Sequence, residues 1–88
     1  MKNIQVFNIN STSSLATQFI IKTKTTEYFQ SYASIIAKKT KSGKIYLDAD
    51  KWNYSRTTSK YRNIFLNETI AETKKKIKSG EYKLINLN

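Results

Sequence analysis

Two glycines and no proline punctuate the 88 residues of this chain. Backbone turns are therefore written plainly at only two positions. Gly43 lies in Thr40-Lys41-Ser42-Gly43-Lys44, where Ser-Gly between two hydrophobic runs predicts the centre of a hairpin turn. Gly80 follows a run suited to a helix and fits the residue just past a helix C-terminus, where a left-handed backbone is needed.

The remaining elements follow from hydrophobic spacing. Residues 4–9 read as a short strand and residues 10–14 as a polar loop. Leu15, Thr17, Phe19 and Ile21 alternate and predict a second strand, with Ser13 or Ser14 as the cap of a short helix in the alternative reading. Residues 28–40 read as one long strand, and residues 45–48 return as its hairpin partner. Ser55 or Thr57 then opens a helix, since a hydroxyl there satisfies free backbone N–H groups. Tyr61, Ile64 and Phe65 give it an apolar stripe. Asn67 reads as the cap of a second helix, with Glu68 favoured by the helix dipole, Ile70 and Ile77 inward, and lysines late in the helix. Residues 82–87 alternate weakly and close the sheet. The order β-β-β-β-α-α-β defines one α+β domain over residues 1–88, a small antiparallel sheet with two helices packed on one face.

Composition limits what such a domain can do. Cysteine and histidine are absent, which excludes a disulfide framework, a Cys/His zinc site, a thiol nucleophile and a histidine base. Asp48 and Asp50 would share one face of a strand, but two carboxylates with no third make a poor Mg²⁺ site. The expectation is a non-enzymatic protein without metal or cofactor. Residues 1–7 hold no long apolar run, so a cytoplasmic protein with no membrane association is expected. The hydrophobic fraction of 39% supports only a thin core in so short a chain, and a homodimer would add to it.

Sixteen basic residues face six acids, and fourteen of the sixteen are lysine. Lysine is a hydrated point charge that suits electrostatic attraction better than the reading of base edges. An AT-rich coding sequence would also produce this content of Lys, Asn, Ile and Thr. From residue 38 to residue 62, eight basic residues stand against two acids. The hairpin supplies Lys38, Lys39, Lys41 and Lys44. The approach to the first helix supplies Lys51, Trp52, Tyr54, Arg56, Lys60 and Arg62. Basic side chains interleaved with aromatics are what binding of single-stranded nucleic acid uses, and the same groups could dock on an acidic protein. Both uses require the two clusters to converge in space.

Trp52, Tyr54, Ser55, Thr57, Thr58, Lys60 and Tyr61, followed by Phe65-Leu66, fit the pattern W-x-Y-S-x-T-T-x-K-Y…F-L. This resembles a group of small proteins encoded by phages, prophages and plasmids of low-GC bacteria. Ser31-Tyr32, Ile36-Ala37 and Leu87-Asn88 extend the resemblance over about residues 30–88. The resemblance implies a mobile-element accessory protein and supplies no catalytic residues. Accessory proteins of this kind often bind and block host defence machinery, anti-CRISPR proteins being the best-known class. The expected partner is thus a host defence protein or nucleoprotein complex, with direct binding of DNA or RNA as the alternative.

Overall fold

The computed structural model describes residues 4–9 and 17–88. The expected loop at residues 10–14, and Leu15, lie outside them. The elements run β1 (Gln5–Asn8), β2 (Gln18–Lys22), β3 (Thr26–Ser31), β4 (Ser34–Thr40), β5 (Ile45–Asp48), α1 (Arg56–Leu66), α2 (Ile70–Ser79) and β6 (Tyr82–Ile85). The six strands form one sheet in the order β1-β2-β3-β4-β5-β6. Pairing is antiparallel through β5, and β6 joins parallel to β5. The architecture is the expected α+β sheet with two helices, and its hairpin at Gly43 is β4–β5.

The single strand expected over residues 28–40 is instead two strands, β3 and β4. They turn at Tyr32-Ala33, with Ser31 paired to Ser34. Tyr32 takes a left-handed backbone, φ 55°, where a two-residue turn ordinarily uses Gly or Asn. No turn residue marks the spot. The turn is held by tertiary partners: Tyr32 N donates to Thr17 O at 2.7 Å, and Gln30 Nε2 donates to Tyr32 O at 2.7 Å. The β3–β4 register shifts after Phe29, which pairs with Ala37 while Gln30 pairs with Ile35. Ile36 is the extra residue of this bulge, and both Ile36 and Ala37 are fully buried.

Helix α1 starts at the expected cap, the Ser55 side chain accepting from Thr58 N. Its buried face is Thr58, Arg62, Phe65 and Leu66. Tyr61 packs against the core from the flank, whereas Ile64, expected inside, is 56% exposed. Asn67 does not cap the second helix. It ends α1 in a left-handed conformation (φ 56°, ψ 50°), as a short amide side chain tolerates. Thr69 caps α2, forming a reciprocal capping box with Glu72. Gly80, φ 87°, ends that helix as expected.

The core consists of Phe29, Ile36, Ala37, Leu47, Phe65, Leu66 and Tyr82. The rings of Phe29 and Phe65 stack with centroids 6.0 Å apart. Thr58 Oγ1 meets Ser31 Oγ at 2.8 Å beneath α1. Tyr82, reached by α2 through Lys76, pairs through Ile45 into the same face as Phe29, Ala37 and Leu47. Both helices therefore cover one side of the sheet. Side chains alternate along a strand, so the other side carries the row Val6, Ile21, Tyr28, Lys38, Tyr46 and Lys83, matched across all six strands.

Candidate functional site

The two basic clusters expected to converge lie at opposite ends of the sheet. Lys51 Nζ donates to Ser34 Oγ at 3.1 Å, which places the approach to α1 at the start of β4. Lys41 and Lys44 flank the turn after β4 ends at Thr40. A strand advances about 3.3 Å per residue, so the seven-residue β4 separates the clusters by roughly 20 Å. Lys38 and Lys39, adjacent in sequence, point to opposite faces. Lys39 Nζ lies 4.9 Å from the Phe65 ring on the helix side, and Lys38 Nζ lies 5.7 Å from the Tyr46 ring on the open side.

At the start of α1, several of the expected groups are engaged inward. Arg62 is fully buried. Its Nη1 donates to Trp52 O at 2.7 Å and to Asn53 Oδ1 at 3.1 Å, and its Nη2 donates to Asn63 Oδ1 at 2.9 Å. The guanidinium also lies 5.1 Å from the ring of half-buried Trp52. Burial lowers the Arg62 pKa, with the charge of Glu68 opposing the shift. Arg62 and Trp52 thus fasten the loop after β5 to α1, and Arg62 presents no charge to solvent. Ser55 Oγ donates to Thr58 Oγ1 at 2.9 Å, so these hydroxyls also face inward. Arg56 and Lys60 are exposed, and Tyr54, 46% exposed, lies under Lys51 Nζ at 5.8 Å.

Asp48 is buried and acts as a tie. Its Oδ2 accepts from Asp50 N and Lys51 N, and its Oδ1 accepts from Leu87 N at 2.8 Å. Burial alone would raise its pKa. The backbone N–H of Leu87, the Asn88 side chain and the N–H groups of Lys51 and Asp50 together hold it below the ordinary value. Asp50 is exposed, and among the described residues no group of three acidic, His or Cys side chains could hold a metal ion.

The opposite end of the sheet gathers more charge. The β2–β3 turn lies against the β4–β5 turn, fastened by Lys41 N donating to Thr25 O at 2.8 Å. Together they line a concavity of about 180 Å³ that includes Lys22, Lys24, Lys39 and Lys41, with Glu27 as its carboxylate. Lys44 stands on the same turn as Lys41. Lys22 and Lys24 were not among the expected site residues. The turn that presents them, Thr23-Lys24-Thr25, has no Gly, Pro or Asn to announce it. It is made instead by Thr23 Oγ1, which accepts from Thr25 N and Thr26 N, an ST-type turn.

Glu68 forms a further charged cluster, its own side chain buried and that of Lys76 about a third exposed. Its carboxylate accepts from Lys76 Nζ at 2.8 Å, from Tyr82 Oη at 2.6 Å and from Thr73 Oγ1. Burial pushes its pKa up, but these three hydrogen bonds and the Lys76 charge outweigh it, and the net shift is downward. The same hydrogen bond holds Lys76 well above the ordinary ammonium value. Burial, then the bond to Glu68, pushes the Tyr82 phenol up to about 12. The cluster locks α2 and β6 to the α1–α2 corner and offers no free group.

Residues 2–83 match a family of unknown function, DUF8033, and the chain belongs to that family. No curated protein and no solved structure matches it. No helix among the described residues is long and apolar enough to cross a membrane.

Proposed function

We propose that this protein is a non-enzymatic accessory protein of a phage or related mobile element, and that it binds and inhibits a host defence nucleoprotein complex through its basic surface. One observation carries the reading. Two adjacent turns bring Lys22, Lys24, Lys39 and Lys41 around one concavity with a single carboxylate, Glu27, and Lys44 lies on the same turn as Lys41. Such an excess of positive charge attracts polyanions and acidic protein patches and speeds their encounter. The resemblance around Trp52 and Tyr61 supplies the mobile-element context. Lys51, Tyr54, Arg56 and Lys60, at the far end, would form a second contact on an extended partner.

The test is expression in defence-positive bacteria challenged with phage, together with affinity purification. The wild-type chain should restore phage plating and retain a defence complex. Reversing Lys24, Lys41 and Lys44 to glutamate should abolish both, because all three side chains are exposed. Failure to recover any defence component across several defence systems, or full activity of the reversed variant, would refute the reading. Direct nucleic-acid binding is the second reading, favoured by the pairing of half-buried lysines with aromatic rings at Lys38–Tyr46 and Lys51–Tyr54.

A further inference from the structure

Among the described residues, the helices leave one face of the sheet uncovered, and its central row is not an ordinary solvated surface. Tyr28, Lys38 and Tyr46 stand side by side on β3, β4 and β5. All three are half-buried by their neighbours, so their positions are defined. Among the described residues, no partner takes the phenol oxygen of Tyr28 or Tyr46 in a hydrogen bond. Neighbouring strands lie about 4.8 Å apart, so the two tyrosines are anchored roughly 10 Å apart with an ammonium group between them. Phe19 and Ile21 extend the flat apolar surface on one side. On the other side, Tyr46 joins Lys44, Lys83 and the carboxylate-bearing Glu81 in lining a concavity.

Charge distribution selects the occupant. The row across the open face contains no carboxylate. Glu27 belongs to the helix side, paired with Lys39. Asp48 is buried and its oxygens are bound by backbone N–H groups. A flat surface of rings punctuated by lysines matches a polymer of flat rings punctuated by negative charges. We infer that the open face binds single-stranded nucleic acid, with bases stacked on Tyr28 and Tyr46 and the intervening phosphate held by Lys38. Lys38 Nζ, now over the Tyr46 ring, moves to the phosphate while the ring receives a base. Lys44 and Lys83 continue the backbone path. Stacking is tolerant of sequence because every base has a π-face, so binding is to single strands of any sequence. A duplex cannot use the tyrosines, since its bases are already stacked. This inference deepens the nucleic-acid reading and is independent of the host-defence one.

Fluorescence anisotropy with a labelled 15-nucleotide oligo-dT, and with a duplex of equal length, tests it at low and moderate salt. The wild-type protein should bind the single strand more tightly. Replacing both tyrosines, Tyr28→Leu with Tyr46→Leu, should weaken that binding by roughly 5- to 150-fold per ring lost while leaving duplex binding unchanged. Tyr28→Phe with Tyr46→Phe keeps the rings and should keep the affinity, which separates stacking from misfolding. Lys38→Gln should lower the salt slope by about 0.7. Three results would overturn the inference: no binding of the single strand at low salt; equal binding of both forms, lost on reversing Lys41 and Lys44 but not on removing the rings; or a dimer by light scattering that disappears in the double-leucine variant, which would make a second copy the occupant. Loss of defence inhibition with single-strand binding intact would count against the host-defence reading alone.

Discussion

Phe29 and Tyr28 are neighbours on β3, and their side chains lie on opposite faces of the sheet. Phe29 is fully buried against Phe65, while Tyr28 stands on the open face beside Lys38. Apolarity does not separate the two faces. The covered side buries Gln18, Ser31, Thr58 and Arg62, and the open side carries Phe19, Ile21 and Ile35. What separates them is the path of the chain after β5. The two helices return over one side before β6 pairs, and most polar groups they cover must then be bonded within the protein. Thr58 with Ser31, and the two terminal nitrogens of Arg62 with Trp52, Asn53 and Asn63, meet that demand, while Arg62 Nε is left without a hydrogen-bond partner among the described residues.

The sharpest way to break this comparison is paired substitution on β3. Phe29→Ala should cost about 3–5 kcal/mol in urea denaturation through the cavity it leaves. Tyr28→Ala should cost less than about 1 kcal/mol. Equal losses would mean that something covers the open face. Arg62→Met should follow, at about 2–3 kcal/mol, because the carbonyl of Trp52 and the amides of Asn53 and Asn63 lose a charged donor. Lysine should not rescue it, since an ammonium cannot reproduce the planar fork.

The covered side should also respond to pH. Glu68 and Asp48 have folded-state values below their ordinary 4.5 and 3.8. Their stabilisation is complete above those values and is lost as pH falls through the lowered ones. Tyr82 behaves oppositely: its share is complete below 10.0 and lost as pH rises toward about 12. Urea midpoints measured against pH should therefore drop at both extremes, and Glu68→Gln should reduce each drop in part, leaving the share of Asp48 at acid pH and that of Tyr82 burial at alkaline pH. The smallest effect expected is a gain. Tyr32→Gly relieves a left-handed backbone that disfavours a side chain, and should add about 1 kcal/mol if the turn alone matters. A loss instead would show that the half-exposed Tyr32 ring contributes packing.

Much of the fold is legible in the sequence. Gly43, Gly80 and Ser55 each do what local backbone chemistry predicts, and the α+β class follows. The Tyr32-Ala33 turn is not legible, because long-range partners make it without a turn residue. Nor is the buried stripe of α1. Periodicity picks Ile64, but the helix instead turns Thr58 and Arg62 inward, where hydrogen bonds make polar residues acceptable. Asn67 misleads for a related reason, since the same amide suits a left-handed helix end as well as a helix start. The candidate site was legible only in part. Charge content identified the lysines of the β4–β5 turn, but the separation of Lys51, Arg56 and Lys60 from them follows from the direction of β4. Lys22, Lys24, Tyr28 and Tyr46 became visible only once strand register placed them.

The parallel seating of β6 has a consequence for biogenesis. Strands β1 to β5 are joined by consecutive antiparallel pairings and can assemble as the nascent chain lengthens, whereas β6 has no place until both helices have been laid down. Until that moment the outer side of β5 offers unpaired amide and carbonyl groups to any passing strand. The speed with which the polypeptide after Asp48 arrives should therefore govern how much newly made protein escapes aggregation.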